Sequence, residues 1–555
     1  MEMKFRQQLK QTETIFTANN KSKAEAGYEK GVKAEVEAGV DKDVKAKAEA
    51  KNTSKAAMKL QSESGNIVWP KVVRKVKAAD KVALKDKSAN TVKLVNNAKA
   101  IHTVKLVDTA NLVDATMSTN AANLACLRMP TLLGLESACK EELFELGFSE
   151  DRVKAHDGLV SLYVPRTELA ETVALLNLSL RTAERVLISL VNFTCTDFTT
   201  LFNTLEDFNF EAYLDAGYFL EVVGYSHDSK LHSVPALQGL IKKAIIKRLA
   251  NYSPKREEWY VDGIWQENRN IGINRLKFGL NKDEFSLDLD TSGFPLYKRG
   301  YRPLNHPAPI RETLAAAILY YAHFTQNCLE HGELLFDPVC GSGTFLIEAA
   351  LLMTNTAPGI ERVFSAESMQ IVGKEVFTKL RAELKAKSLV YNPALKAELL
   401  AVKDRLFGAD IEPKAILQAK QNATRAHVAD LINFACANLH SYAKTANLPF
   451  PELDQAERVL ILANPPYGER LGTEKEVKAL HLAFRNLCFV QGKQAKSLEK
   501  EKKFKSTSKL KPKYRFSLIT SHPALEKELG VKADKRRKLY NGMLACTLYQ
   551  YFRHE

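Results

Sequence analysis

The sequence predicts an α/β protein whose C-terminal half holds a doubly wound, largely parallel sheet. Four short apolar segments there have the length and composition of buried strands. They are Leu334–Phe336, Phe407–Asp410, Ile432–Cys436 and Val459–Ala463. Helical patterns separate them, as is typical of parallel sheets covered by helices on both faces. Because ligands bind at the carboxyl ends of such strands, we expect the functional residues directly after these segments.

The composition indicates a soluble globular protein with two basic low-complexity segments. The net charge is +15, but residues 1–120 hold 23 Lys and Arg against 14 Asp and Glu, and residues 491–513 hold nine Lys against two Glu. The rest of the chain is nearly neutral, so net charge alone is weak support for nucleic-acid binding. No apolar run approaches the ~20 residues of a membrane helix. The eight cysteines include no Cys-x-x-Cys pair, which favours reduced thiols, no metal and a cytoplasmic location.

The first 124 residues are predicted to form a disordered basic tail. Residues 1–120 contain only four aromatic side chains, too few for a packed core. The tail is either an electrostatic RNA tether or, as we favour, a dispensable extension. Met117 could serve as the working start, so a chain beginning there is expected to stay active.

Two small α+β units are predicted between residues 125 and 292. The first has a helix over Glu136–Leu146, stopped by Gly147, and a strand over Leu159–Val164 after an Asp-Gly turn. The second has an amphipathic helix over Ala236–Leu249. Lys242, Lys243, Lys247 and Arg248 project from its polar side, where simple solvation and phosphate binding are both open.

A basic and aromatic segment, Tyr297–Arg302, precedes a proline-containing linker. Lys298, Arg299 and Arg302 alternate there with two tyrosines. Cations that bind phosphate beside rings that stack on bases are typical of single-stranded RNA recognition. The alternative is a surface loop with incidental charge.

The first strand of the doubly wound sheet ends in a glycine-rich turn. Asp337 is followed by Pro338-Val339-Cys340-Gly341-Ser342-Gly343-Thr344 and then by a helical run to Met353. Glycines at a strand-to-helix turn let the backbone approach a ligand closely. No Gly-Lys-Ser/Thr sequence follows, which excludes a phosphate-binding P-loop. Asp410, at the end of the second strand, suits the hydroxyls of a ribose.

The fourth strand ends in Asn464-Pro465-Pro466-Tyr467. An aromatic amine is a poor nucleophile because its lone pair is delocalised into the ring. The side-chain oxygen of Asn464 and the carbonyl of Pro465 could accept its two N–H groups, and Tyr467 could stack on an extruded base. Cys340 would be the nucleophile of a carbon-5 methyltransferase, but its position in the turn favours a packing role.

Together, these motifs resemble the S-adenosylmethionine-dependent amino-methyltransferases, and further segments resemble the THUMP-domain RNA guanine methyltransferases. The segments are Ser229–Pro235, Asp290–Gly293, Lys298–Arg302, Ala308–Ala315 and Lys535–Gly542. The resemblance implies a ferredoxin-like domain at 125–179, a THUMP RNA-binding domain at 180–292, a linker at 293–310 and a class I methyltransferase domain at 311–555 with a Lys-rich insertion at 491–513. It also implies methylation of the 2-amino group of a guanine in large-subunit ribosomal RNA, or in its precursor particle, by a monomer without membrane or metal.

The resemblance assigns roles to residues by position. Asp337, Gly341 and Gly343 would hold the methionine end of S-adenosylmethionine, and Asp410 would bind the ribose. Cys340 and Thr344, in the same turn, are further candidate cofactor-binding residues. Asn438 replaces the Asp that usually faces the adenine. The candidate RNA contacts are Lys230, Lys243, Lys247, Lys298, Arg299 and Arg302.

Two other functions remain open at this point. A DNA adenine-N(6) methyltransferase could use the same Asn-Pro-Pro-Tyr motif, although the THUMP-like segment favours RNA. A catalytically silent RNA-binding or ribosome-assembly protein would be expected to have lost the glycine-rich turn or Asn464, and both are present.

Overall fold

The computed structural model describes residues 123–303, 310–445, 447–466, 474–489 and 513–552. The predicted tail up to residue 122, Tyr467, the prolines between 304 and 309, and most of the Lys-rich insertion lie outside the described residues. None of the described helices is long and apolar enough to cross a membrane.

The N-terminal half of the described chain is built on a seven-stranded sheet. Its strands are β1 (Leu124–Pro130), β2 (Val153–His156), β3 (Leu159–Pro165), β4 (Leu187–Thr194), β5 (Tyr218–His227), β8 (Asn268–Asn281) and β9 (Glu284–Asp290). Between β5 and β8, the short strands β6 (Tyr260–Val261) and β7 (Ile264–Trp265) form a separate two-stranded ribbon. The order in the sheet is β2-β3-β1-β4-β9-β8-β5. The accompanying helices are α1 (Glu136–Glu145), α2 (Leu169–Ser179), α3 (Phe198–Asp207), α4 (Val234–Tyr252) and α5 (Arg256–Trp259).

The two predicted α+β units share this sheet. β1 pairs with β3 of the first unit and, through Leu127 opposite Ile188, with β4 of the second. Apolar periodicity shows which face of a strand is buried but not which edges pair, so the sequence did not reveal the continuity. Gly147 and Gly158 have the positive φ angles that their predicted turns require (97° and 72°).

The C-terminal half contains a second seven-stranded sheet. Its strands are β10 (Leu334–Asp337), β11 (Leu406–Asp410), β12 (Ile432–Cys436), β13 (Val459–Ala463), β14 (Tyr514–Thr520), β15 (Lys535–Asn541) and β16 (Leu544–Tyr551). The order is β12-β11-β10-β13-β14-β16-β15, and β16 alone runs in the direction opposite to the other six strands. The helices are α6 (Glu312–Tyr321), α7 (Phe324–His331), α8 (Thr344–Met353), α9 (Lys374–Lys387), α10 (Lys396–Ala401), α11 (Pro413–Arg425), α12 (Leu439–Thr445), α13 (Pro451–Gln455), α14 (Glu474–Cys488) and α15 (Leu525–Leu529).

Helices cover both faces of this second sheet, as the sequence predicted. Along β13, Leu460 and Leu462 enter one apolar core, whereas Val459 and Ile461 enter the other. A strand buried on both faces requires the continuous apolar run that the sequence shows. The chain proceeds from β10 outward to β12 and returns to β13 on the other side of β10. A crevice therefore forms at the carboxyl ends of β10 and β13.

The segment between α8 and β11 joins the second sheet to the first. α9 packs against α2, and Phe364 and Phe377 stack with ring centroids 5.6 Å apart inside the core of the first sheet. The backbone of Gly359 also donates a hydrogen bond to the carbonyl of Leu178 at 2.8 Å. This largely helical segment is part of the contact between the two halves.

Candidate active site

A cavity of about 900 Å³ opens at the carboxyl ends of β10 to β13. It is lined by nine of the residues predicted from sequence: Asp337, Cys340, Gly341, Thr344, Asp410, Asn438, Asn464, Pro465 and Pro466. These residues come from four loops spread over more than a hundred positions, and the parallel strand order brings them together. Tyr467, the last residue of the predicted motif, lies outside the described residues.

The glycine-rich turn presents backbone to the cavity at Gly341. Gly341 has a φ angle of 52°, and no heavy atom would lie within 4 Å of a Cβ added there, so the turn faces open space. Gly343 does not line the cavity. A Cβ on Gly343 would lie 3.1 Å from the Cβ of Ala419, so this glycine allows the turn to pack closely against α11.

Asp410 holds two backbone segments at the cavity wall. Its Oδ2 accepts a hydrogen bond from the Gly341 amide at 2.9 Å, and its Oδ1 accepts one from the Glu412 amide at 2.9 Å. Each carboxylate oxygen keeps a further lone pair, so the group can still accept from a ligand hydroxyl. Asp410 thus fixes the glycine-rich turn and offers acceptors beside it.

Asp337 is a buried carboxyl group without a cationic protein partner among the described residues. Only 2% of the residue is exposed, and its Oδ1 accepts a hydrogen bond from the Val339 amide at 3.1 Å. Burial raises the pKa of Asp337 well above its usual range, and the negative charge of Asp410 adds to the shift. A ligand ammonium group placed here would favour the ionised form.

Cys340 is a buried thiol. Burial raises its pKa well above the usual value, and the acidic groups of Asp337 and Asp410 act in the same direction. Because the thiolate is the nucleophilic form, this environment argues against catalysis through Cys340 and for packing.

Asn438 directly precedes α12, in the turn that follows β12. Its Oδ1 accepts a hydrogen bond from the His440 amide at 2.9 Å. The side-chain oxygen is therefore turned to the backbone, and the amide NH₂ is the group left to interact with a ligand. An Asp at this position would offer only acceptors.

Asn464 carries a buried acceptor without a partner. Its Oδ1 is inaccessible to solvent and has no hydrogen-bond partner in the described part of the chain. Pro465, the next residue, is buried, whereas Pro466 is exposed at the cavity edge. A buried polar atom without a partner is costly, so a proton donor brought by a ligand would be bound favourably here.

The predicted RNA-binding residues fall into two groups. Lys230, Lys243 and Lys247 are exposed on the N-terminal half, and Lys247 forms an ion pair with Glu206 at 2.8 Å. Lys298 is half-buried, with its ammonium group 5.6 Å from the centre of the Tyr297 ring.

Arg299 and Arg302 are buried in ion pairs, which corrects their predicted role as RNA contacts. The side chain of Arg299 is 2% exposed and pairs with Glu348 at 3.4 Å, and that of Arg302 is 7% exposed and pairs with Glu312. Tyr301 is also buried and donates to Glu348 at 3.0 Å. Local sequence cannot distinguish a charged surface loop from one whose charges meet distant carboxylates. This part of the predicted linker therefore packs tightly against the second half of the protein.

Several cavity residues were not predicted from the sequence. The additional lining residues include Arg311, Ile411, His440, Leu480, Asn541, Gly542 and Leu544. The last three belong to the β15–β16 hairpin. The Lys535–Gly542 segment was noticed for its resemblance, but the antiparallel return of β16 is needed to bring its tip to the cavity.

Comparison with known proteins matches two parts of the chain to described domain families. Residues 299–550 match the family described as UPF0020, RMKL-like methyltransferase domain, and residues 127–187 match the RlmL ferredoxin-like domain. The putative RNA methyltransferase YpsC of Bacillus subtilis is 31% identical over 420 residues, which cover 76% of this chain and 94% of YpsC. The ribosomal RNA large subunit methyltransferase K/L of Pseudomonas paraeruginosa is 31% identical over 75% of this chain, but the match covers 51% of that relative. The chain thus spans about half the length of this K/L relative.

Solved structures show the same architecture. SMU.472, a putative methyltransferase complexed with SAH, aligns with a TM-score of 0.63 and 29% identity over 78% of this chain and 99% of its own. A predicted N6-adenine-specific DNA methylase from Listeria monocytogenes aligns with a TM-score of 0.61 and 31% identity over 79% of this chain and 98% of its own. The sheet order, the cavity and these similarities lead to one conclusion: the chain belongs to the RMKL-like family of class I methyltransferases and uses S-adenosylmethionine as methyl donor.

Proposed function

We propose that this methyltransferase modifies the exocyclic 2-amino group of a guanine in large-subunit ribosomal RNA. The observation that carries the proposal is the buried, unpartnered Oδ1 of Asn464 at the edge of the cofactor cavity. An acceptor in that position suits an N–H group of an incoming amine, and the following Pro465 carbonyl is a second candidate acceptor.

The cavity residues fit the methyl donor. The buried Asp337 carboxyl would pair with the ammonium group at the methionine end, and the open backbone at Gly341 would allow close approach. Asp410 would accept from the ribose hydroxyls, and the NH₂ of Asn438 would donate to a ring nitrogen of adenine. When bound, S-adenosylmethionine supplies a methyl group on a positively charged sulfur.

The amine is activated by hydrogen bonding and does not need a strong base. Acceptors on its N–H groups draw the nitrogen lone pair out of conjugation and towards the methyl group. As positive charge develops on the nitrogen, the hydrogen bond to Asn464 strengthens, which stabilises the transition state. The methylated aromatic ammonium is strongly acidic and loses its proton to water. Tyr467 would stack on the base once it has left its helix.

The surface of the N-terminal half supports RNA as the substrate. On α4, Lys243 is exposed, and the Tyr252 ring is 59% exposed. The Arg248 guanidinium lies 4.1 Å from the centre of that ring and is itself paired with Glu211 at 2.6 Å. Exposed rings beside cations suit unpaired bases and phosphates. Similarity to proteins named as RNA methyltransferases favours the same assignment.

DNA adenine methylation is the second candidate, because a solved relative is described as a predicted N6-adenine-specific DNA methylase. The Asn464 acceptor would serve either exocyclic amine. A catalytically silent RNA-binding protein is disfavoured by the intact turn and the unpartnered Asn464 oxygen.

The decisive experiment is nucleoside mass spectrometry on ribosomal RNA from a strain lacking this protein. We expect one 2-methylguanosine to disappear and to return when the wild-type chain, but not Asn464→Ala, is supplied. An unchanged RNA profile with loss of N6-methyladenine from DNA would support the second candidate instead. Unchanged RNA and DNA would contradict both.

A further inference from the structure

Three potential metal ligands converge on one side of the second sheet, outside the methyl-transfer cavity. They are His481 on α14, His522 just after β14, and Glu528 on α15. One ligand atom from each lies within 4.8 Å of the other two. The three residues come from different segments, so their approach depends on the tertiary structure and is not a sequence motif.

His481 is buried, and His522 beside it is half-buried. The side chain of His481 is 2% exposed, and its Nδ1 is hydrogen-bonded to Oε2 of Glu528, whose side chain is 12% exposed. The rings of His481 and His522 meet edge to face, with centroids 5.4 Å apart.

His522 supplies the independent indication of a ligand. Its Nδ1 is buried and has no hydrogen-bond partner among the described residues. Buried polar atoms are rarely left unsatisfied, so an unpaired nitrogen beside a second histidine and a carboxylate needs an explanation. A cation bound through this nitrogen would satisfy it and neutralise the Glu528 charge.

We propose that His481, His522 and Glu528 bind one divalent cation of the Zn²⁺ class. Two imidazoles and a carboxylate form a ligand set that zinc accepts, whereas Mg²⁺ and Ca²⁺ prefer oxygen ligands only. Zinc–ligand bonds of about 2.0–2.2 Å require ligand atoms roughly 3.3–3.5 Å apart. Small side-chain rotations would bring the three groups to that spacing, and water would complete the coordination.

The site would link three elements next to the active site. His481 follows Leu480, which lines the cofactor cavity, and α14 is the next described element after Asn464–Pro466. A cation would tie this helix to α15 and to the end of β14. The site is structural and does not depend on the identity of the methyl acceptor. Metal binding here would contradict the expectation from sequence that the protein uses no metal.

The test is direct metal binding to the full chain. Protein stripped with a chelator and dialysed would be titrated with zinc chloride by calorimetry, and its metal content measured after gel filtration. We expect one equivalent of zinc and a rise in melting temperature. His522→Gln and Glu528→Gln should each weaken zinc binding at least about 100-fold. Loss of a residue that only orients a metal ligand weakens metal binding by about 10- to 100-fold, so loss of a ligand itself should cost at least as much. His331→Gln, an exposed histidine on α7, is the matched control and should bind as wild type.

Cobalt substitution separates this site from the cysteines. A histidine and carboxylate site gives cobalt d–d absorption without a sulfur-to-cobalt charge-transfer band, whereas Cys436, which is exposed, would give that band. Absence of stoichiometric binding to wild type, a sulfur band, or full binding by both ligand variants would overturn the proposal.

Discussion

Replacement of Asn464 by alanine tests the proposed activation of the amine. The Asn464 oxygen has no partner in the described protein, so its hydrogen bond to the amine would not compete with an existing one. A hydrogen bond to a group that becomes charged contributes about 2–3 kcal/mol, which corresponds to roughly a 30- to 150-fold loss of the methyl-transfer rate. Because this bond strengthens in the transition state, we expect the loss in kcat and only a small change in cofactor affinity.

The same change should leave the fold intact. Deleting a buried acceptor without a partner removes a desolvation penalty of about 1–3 kcal/mol, which offsets the lost packing. The free energy of unfolding is therefore expected to stay within about 1 kcal/mol of wild type. Single-turnover transfer of labelled methyl groups to RNA, calorimetry with S-adenosylmethionine and urea unfolding measure the three quantities. Asn464→Asp, which keeps the acceptor and the shape, is the control and should retain more activity than alanine. A wild-type transfer rate in Asn464→Ala would refute the mechanism.

Three further predictions concern the cavity wall and the contact between the halves. Asp410→Ala removes the acceptor of two backbone amides and should weaken cofactor binding about 10- to 100-fold, as measured by calorimetry. An unchanged affinity would show that Asp410 does not contribute to cofactor binding. Arg299→Met leaves Glu348 buried without its cation and should lower the free energy of unfolding by about 3–5 kcal/mol, whereas the double change with Glu348→Leu should recover most of it; equal loss in both would contradict the pairing. The pKa of Asp337 is raised in the folded protein, so the folded state holds the proton of this carboxyl group more tightly than the unfolded chain does. Protonation of Asp337 therefore stabilises the folded state at low pH, and this stabilisation declines as pH rises from about 4 through the folded pKa. If the cofactor ammonium pairs with Asp337, binding within that window should release a proton, detectable by calorimetry in buffers of different ionisation enthalpy, and Asp337→Asn should abolish the release.

The chemical part of the site was largely predictable because it is local. Each of Asp337, Asp410, Asn438 and Asn464 directly follows a short apolar run, and parallel strands place such residues at one edge of the sheet. The structure refined these predictions. Gly343 serves packing against α11, and Asn438 directs its oxygen to the backbone. These details depend on contacts with other segments, which strand patterns do not specify.

The RNA-binding predictions were less accurate, because they assumed that charged residues in a loop face solvent. Arg299 and Arg302 are buried against Glu348 and Glu312. A guanidinium group makes such pairs as readily as it binds phosphate. Only the position of the carboxylate partners decides between the two.

The sequence by itself determined the fold class, the glycine-rich turn and the Asn-Pro-Pro-Tyr motif after the fourth strand, since periodicity and turn chemistry are properties of neighbouring residues. The tertiary structure decided the rest: the single sheet shared by the two N-terminal units, the hairpin wall of the cavity, the buried arginine pairs and the His481, His522 and Glu528 cluster. All of these join segments far apart in the chain. Their energies arise from burial and from charges that meet only after folding, so a pattern along the sequence does not contain them.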